Sequence, residues 1–227
     1  MTIERVLEII LSVVAIFTAI VLHEYAHGYV AWRLGDPTAR SKGRLTLNPL
    51  AHIDPIGTLL LPITLILLGG RPIGWAKPVP IDPRYFRNPL RGMLFVAAAG
   101  PGTNFALALA TTVVGRALLS VAPDTVLFAN SFGGNALRWL FFLLALFLIY
   151  NILLGLFNLI PIPPLDGSRI LAYFLPVDAR RVMARIERYG FIILIAVVYL
   201  GGLQWLFRFV MEPAYVLLGT RWLAALP

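Results

Sequence analysis

Long apolar stretches, more than a soluble domain of this size can bury, dominate the 227-residue chain. They fall at residues 6–34, Ile56–Leu68, Met93–Val121, Leu137–Ile160 and Phe191–Val210, with a shorter one at Ala214–Leu226. A helix of about 20 apolar residues crosses the hydrocarbon core of a bilayer. Four of these runs are long enough, and no small-residue cleavage site follows the first, so it reads as a retained helix. Charged residues make up 13% of the chain, about half of what a soluble domain uses to dress its surface. With a mean hydropathy of +0.82, that excludes an ordinary soluble enzyme and excludes disorder. The absence of cysteine removes disulfides, thiol nucleophiles and thiolate metal sites from consideration. The fold class is therefore an all-α polytopic membrane protein, a helical bundle of about 4–6 membrane segments in one domain over residues 1–227.

Ile56–Leu68 is the exception among the runs. It is short for a span, is interrupted by Gly57 and Pro62 and closes on Gly69-Gly70, which suits a re-entrant element. The connections around it, "RSKGRLTLNPLAHIDP" and "RPIGWAKPVPIDPRYFRNP", are rich in Pro, Gly and cations, with strand-like alternation over Arg44–Leu47. The net charge of +8 comes from cations lying between apolar runs, so it reports membrane topology and no nucleic-acid partner is expected. If Ile56–Leu68 is re-entrant, nine cations from Arg33 to Arg91 and five from Arg169 to Arg188 share one side, 14 against 5. If it spans, the split is 11 against 8. The positive-inside rule selects the first, with the N-terminus outside and residues 35–91 and 161–188 on the cytoplasmic side of a cell membrane.

His23-Glu24-Tyr25-Ala26-His27 is an HExxH motif near the end of the first helix. Positions i and i+4 share a helix face, so both imidazoles can hold one Zn²⁺, with Glu24 beside the remaining coordination site. A bound zinc acidifies a water molecule, and a neighbouring carboxylate takes the proton as that water attacks a carbonyl. Two interfacial histidines and a snorkelling Glu would be the structural alternative, but an uncompensated Glu in an apolar helix is costly.

A catalytic zinc needs a third protein ligand. His52 is the remaining histidine and reads as structural; the acidic candidates are Asp54 and Asp166. Asp54, in "HIDPIG", has a simpler reading as a turn residue before Pro55. Asp166 follows a long apolar helix and three prolines, and a carboxylate at such a depth is functional by default, although an N-capping Asp would also fit.

HExxH in one membrane helix, followed about 140 residues later by N-x-x-P-x-P-P-L-D-G, resembles the site-2 protease family of intramembrane zinc metalloproteases. "GRLTLNPLAHIDPIG", "GWAKPVP" and "AAAGPGTN" are similar to a compact bacterial branch without a PDZ domain. The resemblance runs from about Ile20 to Pro176. It implies a three-helix catalytic core within residues 6–176, accessory membrane segments over 188–226, and one Zn²⁺ held by His23, His27 and Asp166. It further implies Glu24 as general base, Asn158 near the bound substrate, and a transmembrane protein substrate cut by a zinc metalloendopeptidase near the cytoplasmic face. Ser168 follows Gly167 where many relatives repeat glycine, which leaves the ligands untouched.

Asn104 and Asn151 read as interhelical glue, and Gly100-Pro101-Gly102 as a site of close packing. The backbone of "GWAKPVP" offers an edge to an extended substrate. Two rival readings exist. A prenyl-protein-processing type of membrane zinc protease needs a downstream Glu ligand, and neither Glu187 nor Glu212 is well placed. A metal-binding transporter or regulatory subunit without turnover has no use for Glu24.

Overall fold

Thr2 opens the first helix by accepting the Arg5 N–H on its hydroxyl, and the chain stays helical for 31 residues (α1, Ile3–Arg33). Gly35, at φ +106°, turns the backbone out of it, a left-handed conformation that glycine adopts without a Cβ penalty. Asn88 caps α2 (Pro89–Val121), with Pro89 at the first position where its missing N–H leaves nothing unpaired. Ser131 caps α3 (Phe132–Asn158). The computed structural model describes residues 2–60, 64, 67, 75–129 and 131–227, without the side chains of residues 59, 191, 198 and 203. Within it, α1, α2 and α3 are the helices long and apolar enough to cross a membrane, and each matches an expected span to within a few residues.

These three helices pack pairwise into one bundle. Lipid is as apolar as leucine, so helices in a bilayer associate through close packing and polar contacts. Small buried residues permit that approach: Ala15, Ala19 and Ala31 on α1, Ala97, Gly100 and Ala108 on α2, Ala145 and Gly155 on α3. Hydrogen bonds set the directions. His23 meets Asn104 and His27 meets Val96, so α1 and α2 are antiparallel; Asn104 meets Asn151 while Gly115 and Phe141 both meet Trp222, so α3 is antiparallel to α2 and parallel to α1. The end of α1 and the start of α2 therefore lie on one side. Residues 55–60 between them form a single wide turn, and most of the expected re-entrant Ile56–Leu68 element lies outside the described residues.

The loop over 34–88 forms no strand among the described residues. The alternation at Arg44–Leu47 misleads because nearby N–H groups find scattered partners: Arg44 donates to Ala39 O, Asn48 to Thr46 Oγ1 and Lys77 to His52 O. Asp36, fully buried, fastens the loop by accepting the Thr38 and Asp82 N–H groups at 2.9 and 2.7 Å. The Arg84 guanidinium, hydrogen-bonded to Asp82, holds that carboxyl below its usual range.

Four further helices follow: α4 (Asp166–Phe174), α5 (Val177–Glu187), α6 (Gly190–Tyr199) and α7 (Gly202–Ala224). α4 lies against α2, and α7 against α2 and α3. The expected Phe191–Val210 span is divided, because Gly201 sits at φ +94° between α6 and α7, and α6 alone is too short to cross. A second glycine break at Gly219 bends α7. Beyond it Trp222 is fully buried, donating to Phe141 O at 3.1 Å. A Cβ on Gly115 would stand 1.9 Å from that indole, so α2 and α7 pack ring against backbone.

Candidate metal centre

α1 places His23 and His27 one turn apart on the face that meets α2 and α3. Pro161, Pro163 and Pro164 end the α3 direction, and the chain folds back so tightly that a Cβ on Gly167 would lie 2.2 Å from Leu159 O. That reversal brings Asp166, the first residue of α4, onto the two imidazoles. It does not use its carboxylate as an N-cap; the cap position is Leu165, with no side-chain bond. All three side chains are buried.

The donor atoms form a compact triangle. His23 Nε2 and His27 Nε2 are 3.0 Å apart, and Asp166 Oδ2 lies 3.2 Å from each. Despite that proximity, Oδ2 has no hydrogen-bond partner among the described residues, and a buried, unsatisfied carboxylate oxygen is strongly unfavourable. Four-coordinate zinc with bonds of about 2.0–2.1 Å spaces neighbouring ligand atoms about 3.3 Å apart. The donor set fits a zinc ion, which would be held by His23, His27 and Asp166.

The outer hydrogen bonds show which ring nitrogens carry protons. Phe147 O can only accept, so Asn151 donates to it through Nδ2 and turns its Oδ1 towards Asn104 Nδ2. Asn104 Oδ1 then faces His23 Nδ1 at 2.5 Å. His27 Nδ1 faces Val96 O, another obligate acceptor, at 2.7 Å. Both imidazoles thus keep their proton on Nδ1 and aim the Nε2 lone pair at the centre, the arrangement a metal-ligating histidine requires. Asn104 and Asn151 link helices as expected and also orient a ligand, which the sequence reading did not assign to them. Asn104→Leu is expected to weaken zinc affinity about 10–100-fold, measured by competition with a chelator.

Gly100 forms the wall behind the imidazoles. A Cβ there would lie 2.5 Å from both His23 Cε1 and His27 Nε2, closer than real contacts allow. Gly100→Ala is expected to cost zinc occupancy at least as much as Asn104→Leu while leaving helical circular dichroism intact.

Glu24 is half-buried, and its Oε2 accepts the Val79 N–H at 2.9 Å. Gly28 lets that segment approach, with Val79 Cγ1 3.0 Å from where its Cβ would be. Arg44 clamps the same segment, its guanidinium donating to Lys77 O at 2.6 Å, to Pro78 O at 3.2 Å and to Ala51 O. The backbone of 77–79, expected as a free edge, has these groups committed within the chain. His52 is buried in the loop with Nε2 donating to Thr46 O. Asp54 accepts the Ile56 and Gly57 N–H groups, as its turn reading requires. Neither joins the metal group. Asn158 ends α3 with Nδ2 donating to Leu154 O at 3.0 Å.

Three membrane-length helices closed around a buried His–His–Asp donor set, with the HExxH glutamate beside it, define a membrane protein with a candidate metal site. The sequence model of Peptidase family M50 matches residues 11–201. The chain belongs to that family. It is similar to "Putative zinc metalloprotease YwhC" of Bacillus subtilis, 40% identical over 80% of this chain and 76% of that protein. "Putative zinc metalloprotease Rip2" of Mycolicibacterium smegmatis is 31% identical over 88% of this chain and 71% of that one. The Rip2 of Mycobacterium tuberculosis is 31% identical over 82% and 68%. No solved structure matches.

Proposed function

We propose that the chain is a zinc-dependent intramembrane endopeptidase that hydrolyses peptide bonds in or next to the transmembrane segments of other membrane proteins. The observation that carries this reading is the triangle of Nε2, Nε2 and Oδ2 atoms beside Glu24. Family membership and the relatives' names support it.

A zinc ion held there would supply Lewis acidity for the scissile carbonyl and the attacking water. His23, His27 and Asp166 would hold it, and the Asn151–Asn104–His23 chain of hydrogen bonds keeps one imidazole from turning. Glu24 takes the proton from the attacking water. The Val79 N–H holds its Oε2, and Oε1, which has no partner among the described residues, is left to receive that proton. The proton then passes to the departing amine. Asn158 uses one amide N–H on Leu154 O and has a second to offer a substrate carbonyl. A substrate helix must unwind locally, since its carbonyls are already hydrogen-bonded.

The cation asymmetry supports a site towards the cytoplasmic face of a cell membrane. Co-reconstitution with single-span membrane proteins, and mass mapping of any products, tests the reading. Cuts within or beside the span are expected. Cuts confined to extramembrane loops, or none from zinc-loaded protein, would remove it.

A further inference from the structure

α5 is the one described helix of nine or more residues with no buried residue among α1–α5. It touches its chain neighbours α4 and α6 and makes no comparable contact with the three-helix bundle. Its sequence is nonetheless two-faced. At 100° per residue, Ala179, Val182, Met183 and Ile186 share one side, while Arg181, Arg185 and Arg188 share the other and Arg180 flanks them. Val182 and Ile186 are 53% and 40% exposed. Between this apolar side and Pro161–Pro163 runs an open apolar groove of about 340 Å³ that none of the described residues fills.

The position of the helix says what covers it. Pro161 and Pro163 come just after α3 leaves its span, so the groove lies at the membrane border, and the next helix, α6, is wholly apolar apart from Tyr199. α5 is therefore tethered at both ends at interfacial depth. Arg180, Arg181 and Arg185 within it and Arg188 at its end outnumber Asp178 and Glu187, and among the described residues Asp178 pairs with Arg181. An exposed apolar stripe backed by arginines at that depth matches a bilayer surface rich in anionic headgroups.

We infer that α5 is an interfacial helix that docks on anionic phospholipid, with Val182, Met183 and Ile186 entering the acyl layer and Arg180, Arg181, Arg185 and Arg188 holding phosphates. This goes beyond the proteolytic reading and does not depend on it.

The test reads depth and needs no turnover. Because the chain has no cysteine, spin labels can be placed singly at Val182→Cys, Ile186→Cys and Ala184→Cys in the full chain. Each is examined in nanodiscs of phosphatidylcholine with and without phosphatidylglycerol. With the anionic lipid, labels at 182 and 186 are expected to collide with oxygen and be shielded from an aqueous nickel chelate, and the label at 184 the reverse. The shielding should fall severalfold in phosphatidylcholine alone, and likewise when the four arginines become glutamine. The lipid comparison uses the unaltered arginines, so it stands even if that variant misfolds. Nickel-accessible labels at 182 and 186, or shielding indifferent to lipid charge, would overturn the inference. So would shielding from both reagents, which would mean that protein covers the face.

Discussion

Alanine in place of His23, His27 or Asp166 is expected to empty the metal centre and reduce cleavage to background. Each contributes one corner of the donor triangle, and its loss leaves two protein ligands where a catalytic zinc uses three. Asp166→Ala also removes the carboxylate that balances the ion's charge in a buried site, so its effect on metal content should match that of either histidine. Zinc quantification on purified variants, alongside a helical circular dichroism spectrum, separates loss of metal from loss of fold. Full zinc and activity in Asp166→Ala would mean that the third ligand lies elsewhere.

Glu24→Gln is expected to behave differently, keeping zinc at the wild-type level while turnover falls about 10²–10⁴-fold, the usual contribution of a positioned acid–base group. The amide preserves size and can still meet the Val79 N–H through its oxygen, yet it cannot take a proton from water. The variant's metal content is the control: Glu24 belongs to no pair in the donor triangle, so occupancy should not change. Substantial hydrolysis by zinc-loaded Glu24→Gln would reassign the base.

The His23, His27 and Asp166 group that the structure brings together lies in two short motifs of the sequence. HExxH puts two imidazoles on one face by helix period, whereas Asp166 also reads as an N-cap and is singled out by the resemblance of its proline-rich motif. What could not be read was anything that depends on the register between helices. Asn104 orients His23, and Gly100 clears space for both imidazoles, only because α2 runs antiparallel to α1 with those residues at the right height. Local sequence carries no measure of that height, so an amide reads as glue and a glycine as packing. The division of the Phe191–Val210 run was signalled by Gly201-Gly202, which hydropathy outweighed. The strand expected at Arg44–Leu47 failed for a different reason. Alternation describes side chains, whereas a strand needs a ladder of backbone partners. Here the Arg44 guanidinium itself occupies three carbonyls of the loop.

On the proposed function, hydrolysis depends on one zinc held by His23, His27 and Asp166. Stripping the purified chain with a chelator and titrating zinc back, with cleavage of a single-span membrane protein as the readout, tests it most directly. No cleavage is expected from the metal-free protein, with a rate rising in proportion to added zinc and a break at about one equivalent per chain. Cleavage by the metal-free chain, or a fully zinc-loaded chain that cuts none of a broad set of single-span proteins, would contradict it.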